Sequence, residues 1–291
     1  MISQSQRNPS ATAPFTRLKV RPASLAIHLF LIIGALTMVG PFIWMILTSF
    51  KSFTEATHVP PVFLPAVPEW SNYSEVFSSL PFFNFYVNTI VMALGRVVGV
   101  LFFCSMMAYA LARIEFPGRN LIFLLVLSVF MVPGQVLLIP QYLLMSQLGW
   151  LNSLQALIAP GLFSAFGTFQ LRQYFLSLPK ELEEAARLDG ANHFQIYWRI
   201  MLPLVKSGLL ALAILKILWS WNELLWPLIV NNSPDKLTLS AGLAFLQDEF
   251  TTNYPQMMAG ATLAILPMIV MFAVLQRYFI EGIAISGSKG G

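Results

Sequence analysis

Long apolar runs separated by short polar breaks set the pattern of this chain. Residues 25–50 carry no formal charge, and His28 is their only titratable group. Comparable runs cover about 87–112, 121–145, 154–175, 204–230 and 257–279. Each is close to the ~20 residues that a helix needs to cross the hydrocarbon of a bilayer. The pattern predicts an all-α polytopic membrane protein with six transmembrane helices. Pro133, Gly134, Pro140, Pro160, Gly167 and Pro267 fall inside the runs. Membrane helices tolerate such residues because neighbouring groups re-satisfy the freed backbone, so bends are expected there rather than ends. The first run exceeds the ~7–15-residue core of a cleavable signal peptide and reads as a retained span.

The polar breaks divide the chain further. Residues 1–24 form a basic leader with Arg7, Arg17, Lys19 and Arg21 and no acidic residue; residues 25–50 form the first transmembrane helix. Residues 51–85 hold Pro60, Pro61, Pro65, Pro68 and Pro81 and read as an extended external segment, with Trp70 and Tyr73 suited to the headgroup zone. Residues 86–280 form the transmembrane core, interrupted at 177–203 by a charged loop, and 281–291 form a small-residue-rich tail. In that loop, EEAARLDGANHFQIYWRIMLP, good helix formers run to Leu188, and Gly190 supplies a residue able to take positive φ beyond a helix end. Asn192 can cap a second short helix, which Leu202-Pro203 is expected to close. Leu182, Ala185, Ala186, Leu188 and Ile196 make an apolar side too small to bury itself, so a partner surface is expected. Glu183 and Arg187 stand at i,i+4 and can pair.

Composition agrees with the pattern. The 291 residues are 57% hydrophobic and 10% charged, against about 25% charged in soluble domains. Positive charge orients the spans. Arg7, Arg17, Lys19, Arg21, Arg113, Arg119, Arg172, Lys180, Arg187, Arg199, Lys206, Arg277 and Lys289 fall on one side; only Lys51 and Lys236 fall on the other. The positive-inside rule then places both termini and the charged loop in the cytoplasm of a multi-pass inner-membrane protein. Cys104 is the only cysteine, so neither a disulfide nor a cysteine metal site is available. His28, His58 and His193 are far apart in this layout, without metal-ligand spacing or a nucleophile beside them, and no catalytic or metal residue is assigned. No lysine follows a glycine, which removes the Gly-Lys-Ser/Thr phosphate loop, and the basic residues lack the aromatic platform of a nucleic-acid binder.

The loop pattern is Glu184-Ala185-Ala186, three residues, Gly190, nine residues, Ile200, one residue, Leu202-Pro203. It resembles the coupling loop of membrane subunits in binding-protein-dependent ATP-binding-cassette importers. SNYSEVF, VNTIVMA, AYALARIEFPGRN, MVPGQVLLIPQYLL, SWNELLWPL and QRYFIEGIAISGSKG, in that order, are similar to the smaller permease of the carbohydrate branch, the maltose-system type. The resemblance runs from about residue 25 to the C-terminus. It implies a type I importer permease fold, the methionine-permease-like transmembrane domain, in a subunit that is not itself an enzyme. It also implies a second permease, two cytoplasmic ATPases that bind ATP and Mg for the whole machine, an extracytoplasmic solute-binding protein, and a sugar as cargo. Glu184, Ala185, Ala186, Gly190, Ile200, Leu202 and Pro203 would then couple to the ATPase. Arg96 and Lys216 stand where uncharged residues are expected of that family.

Within the spans, Lys216, Ser220, Glu223 and Pro227 recur at helical spacing, with Trp221 and Asn222 beside them. A charge at mid-depth costs at least ~2.5–3.5 kcal/mol, so these groups are expected to face a wet cavity or a partner. Arg96 and Glu223 lie at similar depth and can pair, either to order the bundle or as part of a passage. Arg96, Lys216, Ser220, Trp221, Asn222 and Glu223 are the candidate translocation path. Two other readings compete: the same importer class carrying a charged sugar derivative or a glycerol phosphate, which would give Arg96 and Lys216 an anionic partner, and a stand-alone secondary transporter, which leaves the loop unexplained and lacks a visible inverted repeat.

Overall fold

The computed structural model describes residues 22–244, 246–247 and 252–287, and every regular element among them is helical. Residues 1–21 of the basic leader and 288–291 of the tail lie outside them. The chain divides after Trp44. The first unit is the N-terminal part of helix α1 (Pro22–Ser49), mostly apolar and exposed from residue 27 to 39.

The second unit opens with the end of α1 and two short helices, α2 (Phe53–Ala56) and α3 (Ser71–Ser79). This segment is ordered by specific bonds. Ser52 and Glu55 form a capping box, and the Glu55 carboxylate also accepts from the Ala66 amide at 2.9 Å; these backbone donors hold its pKa below the usual range. Asn72 Nδ2 donates to the carbonyls of Ser49 and Lys51, and the Phe50 ring meets those of Trp70 and Tyr73.

Helix α4 (Phe82–Arg113) is the axis of this unit; it packs against α7 (Leu154–Ile158), α8 (Ala165–Leu176), α12 (Lys206–Trp221) and α14 (Leu239–Ala244). It has no internal proline, and Arg113 in its last turn complements the helix dipole. Residues 27–49, 82–113 and 254–276 are long and apolar enough to cross a membrane; the last belongs to α15 (Tyr254–Gly287). Three bent helix pairs are long and apolar enough only when taken together: residues 119–131 with 134–147 at 96°, 154–161 with 165–176 at 43°, and 193–204 with 206–221 at 75°. Taken as single crossings, they bring the number to six among the described residues. The sharpest bend has a local cause. Pro133 disfavours helical backbone at Val132, which sits extended at ψ 118° and ends the helix begun by α5 (Arg119–Ser128) before α6 (Leu138–Gln147).

Two sequence expectations change here. The run 204–230 is not one helix: α12 stops at Trp221, and α13 (Leu225–Val230) starts after a break. Pro227 has no N–H for the Glu223 carbonyl four residues back, and its ring crowds that carbonyl, so the helix cannot run through 223–227 undisturbed. Leu202-Pro203, for its part, closes nothing. Helical structure continues from α10 (His193–Ile196) through a π turn at Tyr197–Met201 into α11 (Leu202–Leu204), and Val205 makes the break. Pro203 sits in the first turn of α11, where its missing donor is not needed. The tail expected at 281–291 is helical to Gly287 as the end of α15.

Candidate functional site

Two groups of sequence-selected residues converge at different places in the second unit. The first lies on the segment from α9 (Glu181–Leu188) to α11. Gly190 joins α9 to α10 at φ +81°, and Asn192 caps α10 in a box with Gln195. Open space surrounds the point where a Cβ on Gly190 would sit, so glycine is required there by backbone conformation alone.

The apolar side of this segment is divided between two faces. Ala186, Ile196, Tyr197 and Met201 are buried in a core with Tyr109 and Ala112 of α4 and Phe175 of α8. The chain therefore supplies its own cover for that half. Leu182, Ala185, Leu188, Phe194 and Trp198 remain exposed, Leu188 at 90%. Among the motif residues, Glu184 and Pro203 are also exposed, while Ile200 and Leu202 pack partly buried against the same core.

An ion pair that the sequence spacing does not reveal ties this segment down. Glu183 is 6% exposed, with Arg113 Nε 3.5 Å away and Arg187 Nη2 at 3.9 Å. Arg113 also donates to the carbonyls of Phe175 and Leu178, so one guanidinium joins the ends of α4 and α8 to α9. Burial pushes the Glu183 carboxyl above its ordinary pKa, against the pull of Arg113 and Arg187.

The second group surrounds a cavity of about 590 Å³. Arg96, Lys216, Asn222 and Glu223 line it, together with Gln135 and Gln141 on the bent crossing at 119–147. Arg96 is 4% exposed and fully engaged. Its Nε donates to the Leu157 carbonyl at 2.8 Å, and its Nη1 is hydrogen-bonded to Glu223 Oε2. The side chain crosses directly beneath Gly161, where a Cβ would come within 2.5 Å of Arg96 Cδ and Nε. Glycine at 161 is what lets the guanidinium reach the break after α12.

Ser220 and Trp221 lie elsewhere. Trp221 is buried against the Phe85 and Leu239 cluster and donates its indole N–H to Ala264 of α15 at 3.1 Å. Ser220 is buried, and its hydroxyl has no partner among the described residues. Neither borders the cavity that holds Arg96 and Lys216. The indole that does border it is Trp226, anchored by its N–H to the Ala156 carbonyl at 2.9 Å. Gln135, Gln141 and Trp226 went unselected because their signal, polar or aromatic groups near Pro133 and Pro227, becomes visible only once those prolines break their helices. Among the described residues no cluster of His, Cys, Asp and Glu has the arrangement of a metal site.

Residues 101–284 match the family model described as "Binding-protein-dependent transport system inner membrane component". The arabinooligosaccharides transport system permease protein AraQ of Halalkalibacterium halodurans is 40% identical over 259 residues, spanning 88% of this chain and 93% of its own. The sn-glycerol-3-phosphate transport system permease protein UgpE of Yersinia enterocolitica is 33% identical over 264 residues, spanning 88% and 94%. A solved structure of a bacterial ABC transporter involved in the import of the acidic polysaccharide alginate matches with a TM-score of 0.80 and 28% identity, over 91% of this chain and 99% of that one.

Proposed function

Because this chain belongs to the family of binding-protein-dependent transport system inner membrane components, we propose that it forms half of the translocation path of an ATP-driven importer for sugars or related polyols. A second permease completes the path, two ATPases dock on the cytoplasmic side, and a solute-binding protein delivers cargo from outside. In this reading both termini are cytoplasmic, which the distribution of lysine and arginine supports. The observation that carries the reading is the divided face of the 181–204 segment. Its inner half is locked to α4 and α8, and its outer half leaves Leu188, Phe194 and Trp198 for a partner.

In this mechanism Glu184, Ala185, Gly190 and the exposed apolar residues contact the ATPase. Ala186, Ile200 and Leu202 hold the segment to its own chain, and Pro203 stands in the first turn of α11. ATP and Mg bind to the partner subunits. Their closure moves the segment, and Arg113 passes that movement to the ends of α4 and α8. The helices then shift as rigid bodies between two states that each partner stabilises differently. The cavity beside Arg96, Lys216, Asn222 and Glu223 is the passage; Asn222 and Glu223 hydrogen-bond cargo hydroxyls, and Trp226 offers an apolar edge.

The test is the assembled complex in liposomes with its binding protein. Leu188→Asp places a charge at the centre of the docking face without touching the chain's own core. Loss of cargo-stimulated ATP hydrolysis and of ATPase retention, with the permease pair still inserted, is expected. Full stimulation in that variant removes the assignment of the segment.

A further inference from the structure

Among the described residues, the lining of the cavity carries two cations, Arg96 and Lys216, against one carboxylate, Glu223, and Arg96 occupies one oxygen of that carboxylate. Arg96 is committed through Nε and Nη1: it is almost wholly buried, bound to the Leu157 carbonyl and to Glu223, and confined beneath Gly161. Lys216 differs. It lies on α12 in the second turn from its end, it reaches the cavity wall, and no carboxylate among the described residues lies within 4 Å of its ammonium. Gln135, Gln141 and Asn222 around it are neutral. The lining as a whole is therefore cationic by one charge. A cation kept at depth in a membrane protein is costly and is ordinarily matched by an opposite charge or a water-filled space.

We infer that Lys216 is the specificity-determining cation of the passage and that the cargo is a sugar or polyol bearing an anionic group, a carboxylate or a phosphate. The inference rests on the reading of this cavity as the passage. The Arg96–Glu223 pair is a clasp that fixes the cavity wall, leaving Glu223 Oε1, the amides of Gln135 and Gln141 and the Asn222 side-chain oxygen for hydroxyl groups; the Asn222 amide nitrogen donates to the Leu218 carbonyl at 2.8 Å. An ammonium is a rotatable point charge that meets carboxylate and phosphate alike without fixed geometry. It suits cargo that must be held and then released.

The experiment measures uptake into liposomes holding the complete importer, with its binding protein, of three probes: trigalacturonate, glycerol 3-phosphate and the neutral arabinotriose. Wild type should take up one of the anionic probes at least about ten-fold faster than arabinotriose. Lys216→Met should lower uptake of that anion by about ten- to hundred-fold, the worth of one charge-assisted hydrogen bond, and Lys216→Arg should restore most of it. A preference for the carboxylate or for the phosphate identifies the anion. Arabinotriose as the preferred cargo, at a rate that Lys216→Met does not change, overturns the inference while leaving the sugar-importer reading in place. An equal fall for every probe in both variants makes Lys216 a structural residue, paired with the second permease, and also overturns it. Uptake of none of the three, with both anionic classes refused, overturns the inference and leaves the importer reading to its own test with Leu188→Asp.

Discussion

At the scale of single residues, the two buried ion pairs behave differently because their surroundings differ. Glu183 is desolvated more than its arginines compensate, so its carboxyl is protonated more readily in the folded protein than in the unfolded chain. Its contribution to stability is complete below the ordinary carboxylate pKa and falls as pH rises through the raised value. Glu183→Gln is therefore expected to cost less than about 1 kcal/mol near neutral pH and to flatten the decline in thermal stability between acid and neutral pH. Arg113→Met removes the donor to Phe175 and Leu178 as well and leaves Glu183 facing only Arg187; a loss of about 3 kcal/mol is expected. Equal melting temperatures for the two variants would contradict this ranking. The Arg96–Glu223 clasp calls for a double-mutant cycle. Arg96→Leu should cost about 2–3 kcal/mol, held down because Glu223 keeps access to the cavity, and adding Glu223→Leu should recover most of the folded complex. Gly161→Ala should resemble Arg96→Leu, since a methyl at 161 occupies the path of the guanidinium.

At the scale of elements, proline chemistry sets the sharpest bend, at Val132-Pro133, and it also marks the limit of what the sequence discloses. Run length marks where helices long enough to cross can stand, because burial of every backbone group in lipid demands that length, but the run 204–230 splits after Trp221. Gly190 and Asn192 were legible because positive φ and an N-cap are local properties, visible within a few residues. The similar depth of Arg96 and Glu223 was legible from helical rise, and the structure joins the two. Rotation about a helix axis was not. A stripe through Lys216, Ser220 and Glu223 presumes one continuous helix, and the break before α13 turns Glu223 toward Arg96 while Ser220 and Trp221 stay buried elsewhere. Nor does spacing reveal that Glu183 meets Arg113, because that contact joins elements far apart in the chain. Pro227→Ala tests the cause of the break. With the donor restored, helix can extend across 223–227 and draw Glu223 from Arg96, so uptake should fall several-fold while complex yield drops by less. Wild-type uptake would mean that the Trp226–Ala156 bond fixes α13 without help from the proline.

For the molecule as a whole, orientation is the property from which the roles of both sites follow. Cysteines introduced at the exposed positions Ser71 and Asn232 should react with an impermeant thiol reagent from outside intact cells, and one at Ser177 only after permeabilisation. Cys104 is fully buried and should stay silent throughout. External labelling at Ser177 would invert the layout and remove ATPase docking from the 181–204 segment. If the orientation holds, the two-faced construction of that segment separates allegiance from architecture. Ala186, Ile196, Tyr197 and Met201 answer only to their own chain, and Leu182, Leu188, Phe194 and Trp198 answer only to whatever sits outside. The outer set can be exchanged without disturbing the bundle, much as the teeth of a key change without changing its shaft. If those side chains dock an ATPase, a transplanted outer face should be enough to redirect this chain to a different motor.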